Sequence, residues 1–162
     1  MPQSSEKLQV SEYSARDFRF AVVVSRYNEQ ITEKLLRGAI EALTEYGVRQ
    51  ENVSVFHVPG SFEIPQAARQ IAAHKQFDAI ICLGTLIRGE TIHFQLISEE
   101  CAHGIQEVAK DFGLPVTFGV ITAENTDQAV ARAGLKSQNK GWEAALAAIE
   151  MAGLYRKLQL NS

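Results

Sequence analysis

The feature of this sequence that most limits its fold is the alternation of short apolar runs with helical patterns along the chain. The first run is near-continuous and rich in valine, as in a strand that is buried on both faces of a parallel sheet. Apolar residues at helical spacing follow each run and predict an amphipathic helix. The runs that predict strands are residues 18–25, 53–58, 78–83 and 115–122.

Capping signals predict where several of the helices begin and end. Gly47 and Gly113 are predicted stops, and Pro65 fits the first turn of the second helix. Asn125 and Gln128 form a capping box before a short fourth helix. The predicted helices cover residues 31–43, 62–75, 91–112, 125–133 and a segment from 142 onward. This order predicts an α/β fold, a three-layer α-β-α sandwich around a four-stranded parallel sheet.

Length and composition limit the classes of protein to consider. The 162 residues suffice for one domain, which we expect at residues 18–157, after an N-terminal arm at 1–17 and before a tail at 158–162. The net charge of −3 argues against general affinity for nucleic acid or an anionic membrane, and no apolar run is long enough to span a bilayer. Cys82 and Cys101 lack metal-ligand or redox spacing, so we expect buried thiols in a cytoplasmic protein.

The turns that follow the predicted strands differ from those that precede them. The former carry polar or aromatic residues, whereas residues 75–77 and 112–114 are plain connectors. Ligands of such sheets bind beyond the carboxyl ends of the strands, so we expect the site at that edge. The turns concerned are residues 25–28, 59–63, 84–93 and 122–125.

The turn at residues 84–93 gives the strongest indication of chemistry. Gly84 and Gly89 permit positive φ or a close backbone approach. Unpaired amides at the start of the next helix can hold an anion. His93 lies beside them, where the helix dipole favours a neutral imidazole that can transfer a proton. An equally weighted alternative makes both glycines ordinary turn residues and His93 a surface side chain.

Other groups near this edge have two interpretations each. Tyr27 and Phe118 could stack on a flat heterocycle, although core packing is the simpler explanation for Phe118. Ser61 and Glu63 could hydrogen-bond a polyol or cap the following helix. A basic group could bind a phosphate or be a solvated surface. Its members are Arg88, Arg132, Lys136 and Lys140.

Motifs for metals and nucleotide cofactors are absent from the sequence, so we expect neither a metal nor an organic cofactor. From the residues alone, the chain is an α/β domain that binds a small phosphorylated or polyhydroxylated ligand.

Six stretches, in this order and spacing, resemble the 6,7-dimethyl-8-ribityllumazine synthase family. The motifs are residues 26–28 (RYN), 58–65 (VPGSFEIP), 83–94, 115–120 (PVTFGV), 128–132 and 139–141 (NKG). The resemblance runs from about Phe18 to Leu154 and implies a flavodoxin-like fold. It implies condensation of 5-amino-6-(D-ribitylamino)uracil with L-3,4-dihydroxy-2-butanone 4-phosphate, the penultimate step of riboflavin synthesis. The products are the lumazine, inorganic phosphate and water, and no cofactor takes part.

The resemblance also implies roles for individual residues. His93 is the proton-transfer residue, Phe118 comes from a neighbouring subunit, and Lys140 lies near the site. Glu90 and Thr91 present amides to the phosphate, with Arg132 as its charged partner. The residues implied around the pyrimidine ring and the ribityl chain are Tyr27, Asn28, Ser61, Phe62, Glu63, Thr85, Leu86 and Ile87.

The same resemblance implies a homo-oligomer whose active sites are shared between subunits, with a pentamer as the minimal unit. The arm at residues 1–17 could add to a neighbour's sheet, and riboflavin synthase could be a partner, although the sequence does not decide whether it is bound. Three residues depart from the usual family pattern: Tyr27 replaces Phe or Trp, Glu90 places a carboxylate beside the phosphate, and Gln138 replaces a glycine common in shell-forming members.

Three alternatives share this scaffold: a non-catalytic flavin or lumazine carrier, an archaeal-type riboflavin synthase and a structural shell protein. A carrier would need neither His93 nor Arg132, and both are present. The sequence therefore favours the enzyme.

Overall fold

In a computed structural model, which describes residues 15–160, the chain forms a four-stranded parallel sheet with helices on both faces. The strands lie side by side in the order β2-β1-β3-β4. This is the flavodoxin-like order, so the predicted fold class is confirmed. The strands are β1 (Phe20–Ser25), β2 (Val53–Val58), β3 (Ala79–Ile87) and β4 (Val116–Ala123).

The predicted helices are all present, and their ends follow the capping signals. Gly113 adopts a left-handed conformation (φ 58°) directly after the third helix, and Asn125 Oδ1 accepts a hydrogen bond from the Gln128 N–H at 2.9 Å. Most of the predicted arm, residues 1–14, and residues 161–162 of the predicted tail lie outside the described residues. The helices are α1 (Glu29–Glu45), α2 (Ile64–Ala73), α3 (His93–Phe112), α4 (Thr126–Ala131) and α5 (Lys140–Leu160).

The third strand is longer than the sequence predicts. It continues past Leu83 to Ile87, because β4 pairs with it along this whole stretch, up to the pair Ile87 and Ala123. Gly84, interpreted as the start of a turn, is therefore a strand residue. Its side-chain position is occupied, since a Cβ there would lie 2.6 Å from Ser61 Oγ. The prediction of a close backbone approach is confirmed at Gly84, and that of a turn is wrong.

Two apolar layers, one on each face of the sheet, form the core. The layer under α1 and α5 includes Leu35, Leu43, Ile81, Ile121 and Ile149. The layer under α2 and α3 includes Val23, Ile64, Ile80, Cys82 and Ile105. Strand β1 is covered on both faces and is buried along its whole length, which explains its continuous apolar sequence.

The two edge strands expose apolar side chains. On β2, Val55 and Phe56 are each 38% exposed, and on β4 the Phe118 side chain is 44% exposed. Core packing is therefore wrong as an explanation of Phe118. Among the described residues, no helix is long and apolar enough to cross a membrane.

A polar contact fastens the start of α5 to α1. The Asn139 side chain, 2% exposed, donates from Nδ2 to the carbonyl oxygens of Lys34 (3.1 Å) and Gly134 (2.9 Å). Its Oδ1 accepts from the Trp142 N–H at 3.0 Å. Gly141 packs against the same helix so closely that a Cβ would overlap the carbonyl oxygen of Leu35. The turn that carries Lys140 is thus fixed by backbone contacts.

We predict that Gly141→Ala lowers the free energy of unfolding by at least about 1–3 kcal/mol, because the new methyl group would collide with backbone. Urea denaturation measures this loss. The control is Gly89→Ala, since no heavy atom lies within 4 Å of the Cβ position there. Equal stability of the two variants would contradict the close contact.

The two cysteines are buried free thiols, as predicted. Burial raises the pKa of the Cys101 thiol to about 12 from its ordinary 9.0. Burial, helped by the neighbouring Cys101, also raises the pKa of Cys82. A raised pKa means that the neutral thiol contributes stability below about pH 9, and that the contribution is lost as the pH rises toward 12.

Both thiols should therefore resist iodoacetamide in the native protein at neutral pH and react quickly in denaturant, because the reactive thiolate is absent and the sulfur is covered. Mass spectrometry of the alkylated protein measures the labelling. Rapid native-state labelling of Cys101 would show that α3 does not pack as described.

Candidate functional site

A cleft of about 750 Å³ opens at the carboxyl edge of the sheet. Its walls come from the turn after β1, the turn after β2, the end of β3 and the start of α3. From β1 the chain first turns toward β2 and later crosses to β3 on the other side, so the cleft lies where the winding direction reverses. This reversal is where α/β sheets bind their ligands. The expected edge is confirmed as the position of the cleft.

The turn after β2 supplies one wall. Backbone hydrogen bonds from the Arg26 N–H to Val58 O (2.8 Å) and from the Tyr27 N–H to Pro59 O (3.1 Å) hold the β1 and β2 turns together. Ser61 and Glu63 follow in a short 3-10 helix, and neither side chain caps the helix that comes next. The capping alternative for these two residues is therefore wrong.

Ser61 is the most informative polar group in this wall. Its side chain is only 4% exposed, and its Oγ has no hydrogen-bond partner among the described residues. A buried hydroxyl without a partner costs free energy unless a ligand or water satisfies it. Tyr27 lines the same cleft and is 71% exposed although its ring is large and apolar. An unsatisfied hydroxyl and an uncovered ring in one cleft are suited to an aromatic ligand with polar substituents.

Asn28 and Thr85 do not line the cleft. Asn28 is left-handed (φ 62°) and donates from Nδ2 to the Thr85 carbonyl oxygen at 3.2 Å. The bond ties the β1 turn to β3, while the Thr85 side chain is buried. Leu86 and Ile87, the next residues of β3, do line the cleft.

The start of α3 forms the remaining wall. His93 is the first residue of this helix, and its backbone N–H donates to Thr91 Oγ1 at 3.3 Å. Both line the cleft, whereas Glu90 does not. The helix face that continues from His93 was not among the predicted site residues. That face carries Leu96, Ile97 and Glu100, and its spacing of three, four and seven from His93 was the available signal.

The basic group does not form one site. Arg88 pairs with Glu124 (2.7 Å), Lys136 with Glu45 (3.6 Å) and Lys140 with Glu143 (3.1 Å). Arg132 and Lys140 are close in space, because the Lys140 N–H donates to Arg132 O at 2.9 Å.

Neither Arg132 nor Lys140 lines the cleft, and Phe118 does not either. The chain thus brings together Tyr27, Ser61, Phe62, Glu63, Leu86, Ile87, Thr91 and His93 and leaves these three residues elsewhere. Within residues 15–160, no group of three His, Cys, Asp or Glu side chains is placed to hold a metal ion.

Fold and cleft together define a flavodoxin-like α/β protein with a cleft at its topological switch point. The cleft is lined by an exposed aromatic ring, a hydroxyl without a partner among the described residues, and a histidine. Residues 17–156 match the family model described as 6,7-dimethyl-8-ribityllumazine synthase. The chain therefore belongs to the 6,7-dimethyl-8-ribityllumazine synthase family.

Relatives with that same name span nearly the whole chain. One from Chlorobium limicola is 48% identical over 89% of this chain and 93% of its own length. One from Chlorobium luteolum is 46% identical over 90% of this chain and 94% of its own length. One from Clostridium kluyveri is 44% identical over 94% of this chain and 99% of its own length.

We predict that Ser61→Ala leaves the free energy of unfolding unchanged within about 0.5 kcal/mol or raises it, because the hydroxyl lost has no partner among residues 15–160. If Ser61 capped a helix, the same substitution would lower the free energy of unfolding by about 1 kcal/mol. Chemical denaturation distinguishes these two outcomes. The control is Asn125→Ala, which removes a side chain that does cap a helix and should destabilise the protein.

Proposed function

We propose that this protein condenses 5-amino-6-(D-ribitylamino)uracil with L-3,4-dihydroxy-2-butanone 4-phosphate to give 6,7-dimethyl-8-ribityllumazine, inorganic phosphate and water. One observation carries the proposal: in a member of this family, the cleft at the switch point places an exposed aromatic ring, an unsatisfied hydroxyl and a histidine around one space. The carrier, archaeal-type riboflavin synthase and shell alternatives have no comparable support.

The ring and chain of the first substrate fit the two walls already described. The Tyr27 ring would stack on the pyrimidine and lose its exposure to water. Ser61 Oγ could then donate to or accept from a ribityl hydroxyl, and the Glu63 carboxylate could accept from another. The carboxyl end of β3, at Leu86 and Ile87, would border the ring edge. Each proposed contact uses a group that the protein leaves free.

His93 is proposed to move protons. Imine formation between the 5-amino group and the ketone requires loss of water, and ring closure requires further proton transfers. A neutral imidazole can accept a proton from the amine and return it to a leaving hydroxyl. The position of His93 at the start of α3 and on the cleft wall supports this role.

Departure of phosphate needs stabilisation of a growing negative charge. The N–H groups in the first turn of α3, a helix of 20 residues, would stabilise this charge together with the positive end of the helix dipole. One of them, the His93 N–H, is already bonded to Thr91 Oγ1, so the next N–H groups of the turn are the proposed donors. Glu90 lies outside the cleft lining, which avoids the like-charge repulsion that its carboxylate would cause. Arg132 is the proposed cation, although in a single chain it does not reach the cleft.

A neighbouring copy would supply the missing groups. We propose that Phe118, Arg132 and Lys140 enter the cleft of an adjacent subunit, in a homo-oligomer of at least five chains. Two observations support this: these residues lie outside their own cleft, and Phe118 is exposed on an edge strand. The open β2 edge, with Val55 and Phe56 uncovered, is the proposed docking place for a neighbour's N-terminal arm.

Two finer predictions rest on the resemblance and remain proposals, namely a cytoplasmic location and an association with riboflavin synthase.

The test follows lumazine fluorescence when the purified protein is mixed with both substrates, against a control without protein. Acceleration over that control is the expected result. Lumazine or riboflavin binding without acceleration would overturn the proposal in favour of a carrier.

We predict that His93→Ala slows turnover by about 10²-fold or less and leaves it faster than the reaction without protein, because holding two substrates together contributes much of the acceleration. The control is His103→Ala, which changes an exposed histidine of the same helix that pairs with Glu107 (3.3 Å). Complete loss in the folded His93 variant would contradict the contribution of proximity.

A further inference from the structure

We propose that Arg88 is a positioning residue that fixes the turn bearing Thr91 and His93, and that it is not a ligand of the phosphate. This inference rests on the proposed function and deepens it. From the sequence, Arg88 belonged to a basic group that could bind a phosphate or be a solvated surface. Its contacts in the fold support a third role.

Arg88 is the first residue beyond β3, and its contacts fix it in three directions. Its backbone N–H donates to Ala123 O at 2.8 Å, which extends the pairing of β3 with β4 by one residue. Its Nε donates to Glu124 Oε2 at 2.7 Å. Its guanidinium carbon lies 5.0 Å from the centre of the Phe94 ring, a cation–π contact. The guanidinium is thereby held by a carboxylate on one strand end and a ring on the following helix.

The partner that holds Arg88 is itself held. The Glu124 N–H donates to Gln128 Oε1 at 2.9 Å, and Gln128 belongs to the capped first turn of α4. The backbone of Glu124 is therefore held in place, and a carboxylate in a fixed position can orient the guanidinium that it binds.

Phe94 makes the contact relevant to the site. It follows His93 directly, is half-buried and lines the cleft. The turn between Arg88 and His93 has little other support: within residues 15–160, its side chains form no hydrogen bond to a distant part of the chain, and a Cβ on Gly89 would meet open space. Arg88 at one end of the turn and Phe94 beyond the other thus close it into a loop.

Stability does not explain this arrangement. Both side chains of the ion pair are about half exposed, 49% for Arg88 and 60% for Glu124. Exposed ion pairs contribute little to the free energy of unfolding. A small displacement of a catalytic group, in contrast, lowers the rate of a reaction strongly. The contact should therefore act on turnover and local order more than on global stability.

The test compares Arg88→Ala, Arg88→Lys and Glu124→Gln with a matched control, Arg69→Ala. Arg69 also pairs with an exposed aspartate, Asp111 (2.5 Å), and lies over a ring, Phe112 (5.5 Å), but it does not line the cleft. Two kinds of measurement are made on each variant: backbone amide exchange of residues 89–94 by mass spectrometry, and steady-state kinetics of lumazine formation, which give kcat and KM.

Arg88→Ala should raise amide exchange in residues 89–94 about tenfold and lower kcat about tenfold, with a much smaller change in KM for the phosphate substrate. Glu124→Gln should show the same pattern more weakly, and Arg88→Lys should restore part of kcat. Arg69→Ala should change neither the exchange nor the kinetics.

An increase of KM for the phosphate substrate without altered exchange would overturn the inference and make Arg88 a phosphate ligand. Unchanged amide exchange and unchanged kinetics in Arg88→Ala would also overturn the inference, because the contact of Arg88 with Glu124 would then be an ordinary surface ion pair. Absence of lumazine formation by the unaltered protein would refute the proposed function alone, because the exchange measurement still tests the positioning of the turn.

Discussion

The parallel pairing of β1 with β3 is the constraint on which the rest of the structure depends. Both strands are central, so both must be apolar on each face, and helices must cover the sheet on both sides. Because the chain winds in opposite directions from this pair, the helices diverge at its carboxyl edge and leave a cleft. Gly84 lets the wall of the cleft approach β3 closely. A Cβ at this position would lie only 2.6 Å from Ser61 Oγ, so a residue with a side chain would displace the Ser61 hydroxyl.

The cleft walls carry local free-energy costs that the fold alone does not offset. Ser61 Oγ is buried and has no partner in the described part of the chain, and Tyr27 is 71% exposed. Such groups are destabilising in an empty protein and become favourable when a ligand with complementary polar and aromatic surfaces binds. The edge strands also expose apolar side chains, Phe56 and Phe118, which a neighbouring copy would cover in the proposed homo-oligomer.

Much of the fold was predictable because its determinants are local. Strand β2 has the predicted bounds, and Gly113 ends α3 as predicted. The end of β3 was not predictable, because Gly84 signals a turn locally while pairing with distant β4 keeps it in the strand. In the candidate site, His93 and Ser61 were predictable because both follow the end of a strand, and the carboxyl ends of parallel strands lie at one edge of the sheet. The contact of Asn28 with Thr85, separated by 57 positions, left no periodic signal in the sequence.

The division of the site between subunits is tested most directly by mixing two variants, His93→Ala and Arg132→Ala. The chains are unfolded together, refolded as mixed oligomers and checked for mixing by native mass spectrometry. If His93 and Arg132 of one site come from different chains, roughly a quarter of the sites in an equal mixture contain both residues. The mixture should then form lumazine faster than the mean of the separate variants. A rate equal to that mean in proven mixed oligomers would place both residues in the site of a single chain and contradict the shared cleft.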